Sequence, residues 1–143
     1  MSIGLIKPLR AAVLTHLKGD AALTAIIPAA RLYPSTTPAN VAWPFGRFDA
    51  PQSIPLDGGC YAGSTISFFY HGFAKGTPNV ETAEDEAMRI AAALEHALHN
   101  RRLEIPNPAT NAKITVLSAR VIMDGAEQSA WHAIVSCSAR IFA

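Results

Sequence analysis

"STISFFYHGFAKGTPNVETAEDEAMRIAAALEHAL", residues 64–98, decides the fold. Its first part alternates: Thr65, Ser67 and Phe69 fall on one face of an extended chain, Ile66, Phe68 and Tyr70 on the other. Its last part changes period. Ala83, Ala87, Ile90, Ala91, Leu94 and Leu98 make one apolar stripe at helical spacing. Between them "KGTPN" (75–79) is a turn. Glu81, Glu84, Asp85 and Glu86 crowd the helix start, and His96, His99 and Arg101 its end, which complements the helix dipole. A strand thus feeds a long helix, expected over Val80–His99, with room to lie across a small sheet.

Upstream, Ile6, Leu9, Val13 and Leu17 share a helix face. Pro8 fits only near a helix start, and Gly19 stops it. Asp20 caps a short helical turn through Ile27, which Pro28 ends. "ARLYP" (30–34) and "VAWPFGRF" (41–48) read as strands, separated by the loop 35–40. "DAPQSIPLDGG" (49–59) reads as a long loop, because its two prolines and double glycine break any ladder. The third strand is expected over 60–73. Downstream, 105–111 reads as a loop. "KITVLSARVIM" (113–123) and "AWHAIVSCSARIF" (130–142) form a hairpin turning at Asp124-Gly125. In the last strand Trp131, Ala133, Val135, Cys137, Ala139 and Ile141 share a face. His132, Ile134, Ser136, Ser138, Arg140 and Phe142 share the other.

The order helix, three strands, long helix, hairpin predicts one α+β domain over 1–143. Its mainly antiparallel sheet of about four to five strands is covered by two helices in a two-layer arrangement.

Half of the 143 residues are hydrophobic and 16% are charged, a globular balance. Twelve Lys and Arg against eleven Asp and Glu leave a net charge of +1, which gives no footing for specific nucleic-acid or membrane binding. Cys60 and Cys137 form no CxxC and are expected as free thiols in a reducing compartment. Lys7 and Arg10 lie inside the first apolar stretch, unlike the leading charge of a signal peptide.

Catalytic chemistry finds little support. His71, at the expected end of a strand, has the type of a general base, but no GxSxG or other nucleophile motif accompanies it. His132 is the other histidine a small hydrolase could use. His96 and His99 share a helix face at i,i+3 without the HExxH pattern of a metal pair, and serve better as dipole partners. Asp57-Gly58-Gly59 and Lys75-Gly76-Thr77 lack the P-loop spacing. No metal, no cofactor and no catalytic residue is assigned. The expectation is a binding or assembly protein, with the 49–63 segment reaching a neighbouring subunit or the partner it assembles on through Asp49, Gln52, Ile54, Leu56, Asp57 and Tyr61.

The order of segments resembles a family of tail-completion, or tail-terminator, proteins of long-tailed phages, prophages and gene transfer agents. An amphipathic helix over Leu9–Leu17 leads into "GDAALTAIIPAARLY" (19–33). A proline-flanked strand, "PANVAWPFGRF" (38–48), follows. Then come "STISFFYHGFAKG" (64–76), the helix "EAMRIAAALEHAL" (86–98), and a closing hairpin whose Arg-bearing strand precedes an Asp-Gly turn. The segment 49–63 departs from the family by its prolines and "GGCYAG". The resemblance implies a structural virion protein of the tail-neck region, made in the host cytoplasm. Its expected assembly is a homo-oligomeric ring, a hexamer, that caps the tail tube protein and meets a head-completion or connector protein. It implies no active site, and it makes His71 a joint between strand and helix. The competing expectations are another head-tail connector adaptor and the small hydrolase.

Overall fold

A computed structural model describes residues 3–57, 62–125 and 129–142, with Asp57 described in its backbone alone. Helix α1 spans Ile6–Lys18 and buries Leu9, Val13 and Leu17. The Asp20 carboxylate accepts from the Leu23 N–H at 2.9 Å and so caps α2, Ala21–Thr24. Strand β1, Leu32–Tyr33, is very short. Strands β2, Phe45–Asp57, and β3, Ala62–Ala74, form a long hairpin. Helix α3, Ala83–Leu98, starts at Thr82, whose hydroxyl accepts from the Asp85 N–H at 3.1 Å. Strands β4, Arg101–Pro106, β5, Ala109–Met123, and β6, Trp131–Phe142, complete the chain.

The six strands form one sheet in the order β1-β2-β3-β6-β5-β4. The β1–β2 pair is parallel and every other pair antiparallel. The α+β class and the mainly antiparallel sheet are as expected, but the sheet holds six strands rather than four to five. Strand β4 is the added one, and a second segment lengthens an expected strand. The expected loop 49–59 runs on as β2 through Asp57. The expected loop 105–111 is the tight end of the β4–β5 hairpin, where Pro106 pairs with Ala109. The helix order differs too, because α2 stands as a third, short helix. Among the described residues no helix is long and apolar enough to cross a membrane.

One face of the sheet carries the core. From α3, Ala87, Ile90, Ala91, Leu94 and Leu98 are buried as expected. They meet Ile66, Phe68 and Tyr70 of β3 and Val135, Cys137 and Ile141 of β6, with Trp131 packed half-buried at the margin. The alanines keep α3 low over the strands, and Gly72 lets it come lower still. A Cβ built at Gly72 would run into Cγ2 of Ile90. Helix α1 is tied to α3 by His16, whose Nε2 lies 2.7 Å from the Ala97 carbonyl oxygen. Cys137 is a free thiol, and burial pushes it up to about 12.

Among the described residues no helix lies on the other face. There β2 is also the exposed edge, since β1 covers only Gly46 and Arg47. Pro51 and Pro55 sit in that uncovered stretch of β2. A bulge between Asp49 and Gln52 holds Ala50 at a φ of 46°.

Candidate functional site on the open sheet face

The β2 bulge decides what the open face presents. A strand alternates sides, so Asp49 and Gln52 would ordinarily point to opposite faces. The extra residue shifts the parity. In register, Asp49 stands opposite Phe69, Gln52 opposite Ser67, Ile54 opposite Thr65 and Leu56 opposite Gly63. These four expected interface residues therefore share the open face. Asp57 ends β2 in register with Ala62. Tyr61, and the Asp57 side chain, lie outside the described residues. The segment is a strand with its backbone paired to β3 and not a free loop, because β3 offers a continuous ladder as far as Ala62.

His71 also lies on this face, and not at a joint. Strand β3 continues to Ala74, and His71 stands in register with Arg47 on one side and Ile134 on the other. His132 opposes Phe73. This register brings the two histidines together: His71 Nδ1 and His132 Nε2 share a short hydrogen bond. The Asp49 carboxylate lies 3.1 Å from His71 Nε2, close enough to pair though poorly aligned for a hydrogen bond. That charge favours the proton on His71 Nε2, which leaves Nδ1 to accept from His132 Nε2–H; the tautomers are assigned from these partners.

Aromatic rings close over the pair. Phe73 stacks on His132 at 4.3 Å between centroids and on Phe45 at 4.7 Å. Trp43 meets Phe45 edge-on at 4.9 Å. Two cations finish the cap, Lys75 at 4.7 Å from the Trp43 ring and Arg47 at 5.6 Å from the Phe73 ring. The result is a small second core on the face that helices leave open. Burial lowers the His71 pKa, with Asp49 pulling it partly back up. Burial and then the neighbouring His71 lower His132 to about 4. Both rings are neutral at pH 7.

This arrangement is poorly made for acid–base catalysis. His71 is only 8% exposed, and both its nitrogens face groups of the protein itself. A general base needs a nitrogen free to take a substrate proton. A metal fits no better. Among the described residues no group of three or more His, Cys, Asp or Glu side chains is arranged to hold a metal ion. His96 and His99 also diverge in role, since His99 Nδ1 accepts from the Val116 N–H at 3.1 Å.

Sequence parity alone could place both histidines on this face. Their contact could not be foreseen, because it needs β3 and β6 to be neighbours across 61 residues of chain. The aromatic cap was equally hidden, with Trp43 and Phe45 arriving from before the bulge.

Comparison with known proteins agrees with an assembly role. Residues 11–141 match the model of the family described as tail completion protein gp17, and the chain belongs to that family. It is a structural protein of phage-type tails, a part of the virion. No curated protein matches it in sequence. A solved structure described as the virion of a native gene transfer agent particle contains a similar chain, with a TM-score of 0.76 at 20% identity. The alignment covers 94% of this chain and 95% of that one.

Proposed function

We propose that this protein is a ring-forming tail terminator, which caps the end of the tail tube and offers its other surface to the head-completion proteins. Family membership over residues 11–141 supports the tail-completion part of this reading. The observation that carries the rest is the fold shared, nearly end to end, with a chain of a gene transfer agent virion. The expected assembly is a head-to-tail ring of identical subunits, a hexamer, in which each copy shows its neighbours two different patches. The open sheet face, with Asp49, Gln52, Ile54 and Leu56 in one row of β2, supplies one such patch.

Electron microscopy of tails assembled with and without the protein tests this. Tubes lacking it are expected to overrun their normal length, and purified protein to stop their growth. Tubes that end normally without it would overturn the reading. Binding to a portal-side adaptor rather than to the tube would favour the connector role instead.

A further inference from the structure

Farther along the open face, three basic residues stand side by side. Arg140 of β6 is in register with Lys113 of β5, and Lys113 with Arg102 of β4. Adjacent strands are about 4.8 Å apart, so the three charges form one continuous row. Like charges directly opposite one another destabilise a sheet. Within the chain the row is only slightly relieved. Lys113 Nζ donates to the Asn100 carbonyl at 3.1 Å. Arg102 and Arg140 are exposed and bond to no carboxylate among the described residues. Glu104, in the next row of β4, is the nearest acid on this face by register.

The complementary charge is on the same chain but out of reach. Glu84 and Asp85 are exposed in the first turn of α3. The nearby Arg89 is already committed to Glu81, at 2.5 and 2.8 Å. Helix α3 lies on the covered face, and its start follows the Ala74 end of β3. The basic row crosses β3 at Thr65, nine residues earlier, or about 30 Å of strand. Apolar side chains flank both patches. Ile54 (53% exposed) and Phe142 (47%) border the row, and Val80 (81%) and Met88 (46%) border the acidic turn.

We propose that the Arg102–Lys113–Arg140 row receives the Glu84–Asp85 turn of a second copy of this chain. The inference rests on the ring-forming reading and names its contact. Two different patches meeting head to tail propagate from copy to copy, and close when the rotation between copies allows. The near-neutral net charge favours this partner over nucleic acid, because the two patches balance each other.

The test is a charge exchange in the full chain. One variant carries Arg102→Glu with Arg140→Glu, the other Glu84→Lys with Asp85→Lys. All four positions are exposed, and thermal melts confirm that each variant folds. Sedimentation at low salt is expected to show the parent self-associating, less so as salt rises. Each variant alone should associate at least about tenfold more weakly, and an equimolar mixture should recover to within about threefold of the parent. A parent that stays monomeric at low salt, or a mixture no better than its components, would overturn the contact. So would duplex DNA binding by the parent that the arginine variant loses without recovery in the mixture. Tube capping by the parent alongside a failed mixture removes this contact and keeps the proposed function. A recovered mixture with no effect on tubes does the reverse.

Discussion

The two faces of this sheet are made by alternate residues of the same strands, yet they are held in different ways. The helix face is filled by aliphatic and aromatic side chains whose contacts are many and individually weak. The open face has one buried cluster, in which two imidazoles, a carboxylate and stacked rings each have a particular partner. Burial on the first face follows from covering by α1 and α3. On the second it follows from a few residues covering each other. The first should therefore fail by losing volume, and the second by changing charge.

The largest expected effect is on the helix face. Leu94→Ala should cost roughly 2–5 kcal/mol, since Leu94 is fully buried between α3 and the strands. Chemical denaturation measures it, and a parent-like midpoint would break the two-layer account. Gly72→Ala comes next, at about 1–3 kcal/mol, because the added methyl must push Ile90 and α3 away. If this variant is neutral, the helix does not sit as low as described.

The third prediction belongs to the open face and concerns pH. His132 has a folded pKa of about 4 against an ordinary 6.5. Between those values the unfolded chain binds more protons, so this group's contribution to stability falls as pH falls. It is complete above about 6.5 and lost by about 4. The ring is partly reached by solvent, so the effect is discounted to about 1–2 kcal/mol. His71, also lowered, acts in the same direction. Thermal melts from pH 7 to 4 should show a drop that shrinks in His132→Phe, which keeps the stack on Phe73. Equal drops in both proteins would remove the imidazole pair as the cause.

The smallest effect returns to the helix face and its one polar flaw. The Tyr70 hydroxyl is buried without a hydrogen-bond partner among the described residues, and burial raises its pKa. Tyr70→Phe should be neutral, or stabilising by up to about 1 kcal/mol, since it removes an unsatisfied group. A marked loss would mean that the hydroxyl has a partner.

The helix face could be read from the chain because each element states its own period. Helix α3 shows its stripe and cap within one stretch, and β6 shows its alternation without a break. The open face could not be read so far. Pro51 and Pro55 gave β2 the composition of a loop, although an edge strand with one uncovered side tolerates both. Strand β4 was hidden by its shortness and by the Asn107-Pro108 turn. Four of the six expected interface residues do share a face, but the reason is the bulge, which composition does not reveal. The row Arg102–Lys113–Arg140 has no local signal at all, since each residue comes from a different strand.

The prolines of β2 carry one more consequence. In the proposed ring many copies would gather at one place, where bare strand edges could stitch them together without limit. Pro51 and Pro55 take two backbone donors out of the long uncovered stretch of β2. The opposite edge, β4, carries Arg101, Arg102 and Glu104 and ends in Pro106. The β2 and β4 edges are thus poor templates for an added strand, whereas β5 beyond Ile114 pairs with β6 alone. In the proposed ring these two edges would leave recognition between copies to side chains, whose geometry can count subunits, rather than to main-chain ladders, which have no natural end.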